Sequence, residues 1–138
     1  MQRVFAALLV AAAITACGQG VVLSRSDAVH KADREKGLSH ITRSEAKLMT
    51  WTAFLKASQV QASPQDAPPF KQRVWVVAVA ANDAQLGPQG SHQHWVIFVY
   101  NAVTGSQIGH IPGPFDGTTG EAMGPDWPPT WSDYPDGG

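Results

Sequence analysis

The chain has 138 residues, the length of one ordinary domain. Charged residues make up 15% and apolar residues 43%, so composition favours a packed core over a disordered chain. A net charge of −1 gives no electrostatic footing for a nucleic-acid partner, and a single Cys excludes an intrachain disulfide and a thiolate-based zinc cluster.

The N-terminus reads as an address. Arg3 supplies a short positive region, and Val4 to Ile14 is an uninterrupted apolar run of 11 residues. That is the length of a signal-peptide core, against the ~20 residues a spanning helix needs. The run ends in Ile14-Thr15-Ala16-Cys17-Gly18, which resembles the bacterial lipobox: an aliphatic residue, two small ones, then Cys. The resemblance implies that residues 1–16 are a signal peptide, removed after Cys17 has received a diacylglycerol thioether. It places the protein on a bacterial cell membrane or outer membrane, lipid-anchored and facing outside the cytoplasm. Residues 17–23 would then be a lipidated tether.

Beyond the tether, Ser24 or Ser26 can cap a helix that carries Asp27 in its first turn, runs from Ala28 and ends at Gly37. Ser39 to Lys56 is ambiguous in period. The reading adopted is a strand from about His40 to Thr50, then one or two helical turns from Trp51 to Ala57 with Thr50 as their cap. Residues 57–71, with Pro64, Pro68 and Pro69, make a loop. Val74 to Ala81 is apolar on both faces, as a central strand must be, and His94 to Asn101 is a second strand. A loop joins them from Asn82 to Gln93. Asn101 to Gly105 is a tight turn with Gly105 at the positive-φ position, and Ser106 to Ile111 returns as a third strand of the meander. Trp75, Val77, Trp95 and Ile97 are the expected core. The expected fold is α+β: a short N-terminal helix packed on an antiparallel sheet of three or four strands.

From Gly105 onward the chain holds eight Gly and six Pro in 34 residues, which forbids a helix. Phe115, Trp127, Trp131 and Tyr134 nevertheless lie there. Rings of this size bury roughly 150–250 Å² each, so the tail over residues 112–138 is expected to pack onto the domain.

The helix start Ser26-Asp27-Ala28 and the hairpin Val99-Tyr100-Asn101-Ala102-Val103-Thr104-Gly105-Ser106-Gln107-Ile108 resemble PepSY-like extracytoplasmic domains, over residues 24–111. Asn101 stands where that pattern usually has Asp, which keeps the turn chemistry. Leu48-Met49-Thr50-Trp51 and Trp127-Pro128-Pro129 have no counterpart in it. The resemblance implies a non-enzymatic module that binds or inhibits another envelope protein. Ser106 to Ile111 is the strand offered to such a partner by strand addition.

Sites of chemistry are few. Gly105-Ser106-Gln107-Ile108-Gly109 has the wrong spacing for a nucleophile elbow, and no His-Glu-x-x-His, phosphate loop or EF-hand loop occurs. The chain is therefore read as no enzyme, with no cofactor. His92 and His94 stand two apart, which on a strand puts both imidazoles on one face; with His110 nearby they are the alternative, a metal site. Asp126, Asp133 and Asp136 are weaker oxygen ligands for Ca²⁺. Trp127 and Trp131 are expected to cover the sheet rather than stack on a sugar or peptide. Charge is split: residues 1–73 carry all ten bases and five acids, and the rest carries six acids and no base. Internal pairing of the two halves is the expected use, ahead of a basic surface facing anionic lipid.

Overall fold

The computed structural model describes residues 23–60 and 68–137. The signal segment, Cys17 and Pro64 lie outside the described residues. Within them the chain is α+β: two helices and a four-stranded antiparallel sheet. The elements are α1 (Arg25–Asp33), β1 (Leu38–Thr50), α2 (Trp51–Ser58), β2 (Arg73–Ala84), β3 (Gln93–Asn101) and β4 (Gln107–Pro112). Single 3₁₀ turns occur at Pro88–Gly90 and Trp131–Asp133. The strands follow chain order, β1-β2-β3-β4, so β1 and β4 are the edges.

Of the two caps expected for the first helix, Ser24 is the one used, so the helix starts at Arg25: the Asp27 N–H donates to Ser24 Oγ at 3.0 Å. The helix ends earlier than expected. The Arg34 N–H bonds to the Ala32 and Lys31 carbonyls, tightening the last turn. Gly37 is therefore not the helix stop; at φ +94 it turns the chain into β1, and its carbonyl accepts the Gln85 N–H at 2.8 Å. Beyond it Leu38 pairs with Ala84 and Ser39 with Asp83, so β1 and β2 each run past the limits read from sequence. Asn82 and Asp83 are poor strand formers, and cross-strand pairing overrides that preference.

Thr50 caps α2 as expected, accepting from the Ala53 N–H at 3.1 Å. Gly105 has φ +78 at the β3–β4 turn, where Asn101 Oδ1 accepts the N–H groups of Val103 and Thr104.

Alternation along the strands divides the core into two layers. Leu48, Trp75, Val77, Val79, Val96, Phe98 and Tyr100 face α1, which inserts Ala28 and Ala32. Met49, Val74, Val76, Ala78, Trp95, Ile97 and Val99 face the other way, under Trp51 and Phe54 of α2 and Trp131 and Tyr134 of the tail. The sheet is thus buried on both faces, which explains why Val74 to Ala81 is apolar without alternation. The tail leaves β4 through Gly113, whose N–H donates to the Trp95 carbonyl at 2.8 Å. A Cβ at Gly113 would stand 2.9 Å from that oxygen, so the approach requires glycine.

Candidate functional site

The two edges of the sheet are finished differently. On β1, the tail closes the segment from Glu45 to Leu48. Gly137 donates its N–H to the Leu48 carbonyl at 2.6 Å, and Asp136 Oδ1 accepts the Leu48 N–H at 3.1 Å. Lys47 Nζ donates to the carbonyls of Trp131 and Tyr134 at 2.7 and 2.9 Å, and the Trp131 indole N–H donates to Glu45 Oε1 at 3.0 Å. Arg25 donates to the Ala46 carbonyl and pairs with Asp136 at 3.1 Å, fastening α1, β1 and the tail together.

Rings complete the fastening. The Arg43 guanidinium lies 3.8 Å over Trp127, and Lys47 Nζ lies 4.7 Å over Trp131. Trp127 meets Trp131 edge-on at 6.0 Å. Trp131 is buried, so its face is not open to a sugar or peptide. The hydrogen bond from Arg43 at 2.5 Å, followed by that from Trp131, holds the Glu45 carboxyl below the usual glutamate range. The bases of the first half therefore meet the acidic half through the Arg25–Asp136 ion pair, through backbone carbonyls and through aromatic faces.

The opening stretch of β1, residues 39–43, is exposed but is not a clean edge. His40 has φ +58 and the register shifts between Ile41 and Arg43. A bulge of this kind twists an edge away from further pairing.

On β4 the backbone pairs with β3 alone among the described residues. Ile108 and Ile111 lean on the tail-side layer, while His110 projects on the α1 side with its ring 6.1 Å from Phe98. This is an open edge carrying half-buried apolar side chains.

The titratable residues singled out from sequence are dispersed. His92 Nδ1 is 2.7 Å from Asp83 Oδ1, His94 Nδ1 is 3.8 Å from Asp126 Oδ1, and His110 Nε2 is 3.0 Å from the Leu86 carbonyl. Among the described residues no three His, Cys, Asp or Glu side chains are grouped to hold a metal ion. Asp126 and Asp136 point to different partners, His94 and Arg25, so with Asp133 they form no Ca²⁺ cluster.

Behind the sheet, the Tyr100 hydroxyl donates to Glu35 Oε2 at 2.6 Å, and Lys31 Nζ sits 5.8 Å over its ring. Burial first, then the Glu35 hydrogen bond, push the Tyr100 phenol well above its ordinary range. Beside this pair, the outer surface of α1 and Leu23 line a polar groove of about 500 Å³ that also holds Asp27, His30 and Arg34.

Sequence reasoning missed the fastening of β1. Arg25, Arg43, Glu45 and Lys47 act with residues far along the chain, and the split of charge was the one sign of it. Among the described residues no helix is long and apolar enough to cross a membrane. In comparisons with known proteins, no family model, no curated protein and no solved structure matches the chain.

Proposed function

We propose that the chain is a bacterial lipoprotein, held outside the cytoplasm by lipid on Cys17, whose PepSY-like α+β domain binds or inhibits another envelope protein without being an enzyme. The sequence Ile14-Thr15-Ala16-Cys17 supports the anchor. Several acyl chains on one residue would hold firmly, since each buried CH₂ contributes ~0.8 kcal/mol.

One observation carries the binding role: the edges of the sheet are unequally protected. The tail occupies both backbone groups of Leu48 on β1, while among the described residues the backbone of β4 pairs with β3 alone and its outer edge is open. An extended segment of a partner adding to β4 would gain ladder hydrogen bonds, with side-chain selection by the surface around Ile108, His110 and Ile111.

Site-specific photocrosslinking in intact cells tests this. A crosslinker at His110 should trap a discrete protein partner, and one at Thr118 should not. Gly109→Lys should abolish the trap with the fold intact, because nothing lies within 4 Å of a Cβ there and a lysine on an edge opposes further pairing. Equal yields at both positions, or a trap that survives Gly109→Lys, would contradict the reading.

A further inference from the structure

The tether, three strand ends and one exposed aromatic meet at a single pole of the domain. Leu23 is clamped there: its N–H donates to the Ala102 carbonyl at 3.1 Å, and its carbonyl accepts from the Trp75 indole at 2.8 Å. The Ala102 N–H in turn donates to the Arg73 carbonyl at 3.0 Å, where β2 begins beside the ends of β1 and β3. Just before Arg73 the chain makes a tight turn closed by the Gln72 N–H on the Pro69 carbonyl at 2.9 Å. Phe70 and Lys71 form its tip. The Phe70 carbonyl is fixed by the Thr52 N–H and hydroxyl, and Gln72 reaches Asn101 at 3.3 Å. The backbone of the turn is thus held on the domain, yet the Phe70 side chain is 71% exposed, the most exposed large apolar residue described.

A single exposed Phe is ordinary on a protein surface. Its place relative to the tether is what gives it meaning. At ~3.6 Å per residue the stretch from Cys17 to Leu23 reaches at most about 22 Å. The sheet is longer: β3, with nine residues at ~3.3 Å each, spans about 30 Å. With Cys17 held in the bilayer, the tether cannot let the opposite pole face it, which leaves either the Leu23 pole or a flank of the sheet to do so.

We infer that this pole is a membrane-docking surface, with Phe70 entering the interface of an anionic bilayer and Lys71 meeting its phosphates. The inference rests on the lipid anchor proposed above. The chemistry matches the two residues: an aromatic ring gains by leaving water at the headgroup level, and a lysine snorkels to anionic phosphate beside it. Pro68 and Pro69 stiffen the approach to the turn, so little freedom is lost when its tip is immobilised. The consequence is a fixed orientation, with the β1–β4 sheet standing off the membrane.

The test uses the full lipidated chain in vesicles of phosphatidylglycerol and phosphatidylethanolamine. Thr104→Cys places a nitroxide label at this pole, and Thr118→Cys places one in the turn whose Gly120 carbonyl accepts the His92 N–H at the far end of β3. Collisions with a water-soluble nickel chelate should be several-fold rarer at position 104 than at 118. Phe70→Ser should erase that difference, and Phe70→Leu should keep it. Equal collision rates in the native background, or protection that survives Phe70→Ser, would overturn the inference. Intact mass separates the two claims: a protein without lipid on Cys17 refutes the anchor and this inference together, whereas a lipidated protein with equal collision rates refutes the orientation alone.

Discussion

The Trp131 indole N–H donates to the Glu45 carboxylate at 3.0 Å, tying the last turn of the tail to an edge strand far earlier in the chain. Around that bond Lys47 holds two tail carbonyls and Leu48 exchanges hydrogen bonds with Asp136 and Gly137. The tail is therefore part of the domain's core and of its edge at once.

Trp131→Ala should accordingly destabilise the domain by about 3–5 kcal/mol, the usual cost of emptying a buried aromatic site. Truncation after Pro114 should cost at least as much, since it also removes Tyr134 and uncovers Trp51 and Phe54. Urea unfolding measures both. A midpoint unchanged by truncation would mean that the tail is an independent arm.

Acid should loosen the same contact. The folded Glu45 carboxyl titrates below its ordinary value of 4.5, mainly because of the Arg43 hydrogen bond. A group depressed on folding contributes stability that is present above its unfolded pKa and is lost as pH falls through its folded pKa. Stability of the native chain should thus decline as pH drops below about 4.5. Glu45→Gln, which keeps an oxygen for Trp131 but no charge for Arg43, should show a shallower decline. Parallel acid limbs in the two proteins would contradict this.

The alkaline limb has a different origin. Both tyrosines of the chain, Tyr100 and Tyr134, have phenols raised above 10.0, first by burial and then by the neighbouring carboxylates Glu35 and Asp133 respectively. A raised folded pKa gives stability that is present below the unfolded value and is lost as pH rises through the folded one. At pH 10 a free tyrosine is half ionised. The native protein should show little phenolate absorbance there and gain it only with unfolding. Tyr100→Phe should leave the fold in place at a cost of about 1 kcal/mol, since Glu35 is only partly buried.

Metal should not stabilise the domain. His92 and His94 have separate carboxylate neighbours, and neither belongs to a three-ligand group among the described residues. A micromolar site at 100-fold excess of Zn²⁺ would add ~2.7 kcal/mol, a rise of several degrees in Tm. Such a rise, abolished by replacing both histidines with alanine, would establish the metal-binding alternative in place of this account.

The elements readable in the sequence are those fixed by local rules. Thr50 as the α2 cap, Gly105 at positive φ and the two-faced apolar run of β2 follow from capping, turn chemistry and burial pattern. The ends of α1, β1 and β2 were not readable, because a 3₁₀ tightening at Arg34 and the pairing of Leu38 with Ala84 decide them. The fastening of β1 was hidden for a similar reason. A lysine that binds two carbonyls and an arginine over an indole leave no periodic trace, and only the fold brings Arg43 to Trp127. The open edge at β4 could be anticipated from the meander, but its contrast with β1 required the path of the tail.

The anchor is the central claim, and fractionation of the native chain beside Cys17→Ser tests it most directly. The thioether cannot form without sulfur, so the native protein should enter the detergent phase with the mass of a diacylglycerol adduct on Cys17 and no residues before it. Cys17→Ser should stay uncleaved or leave the membrane fraction. A Cys17→Ser protein still cut before residue 17 and still membrane-bound would contradict the account.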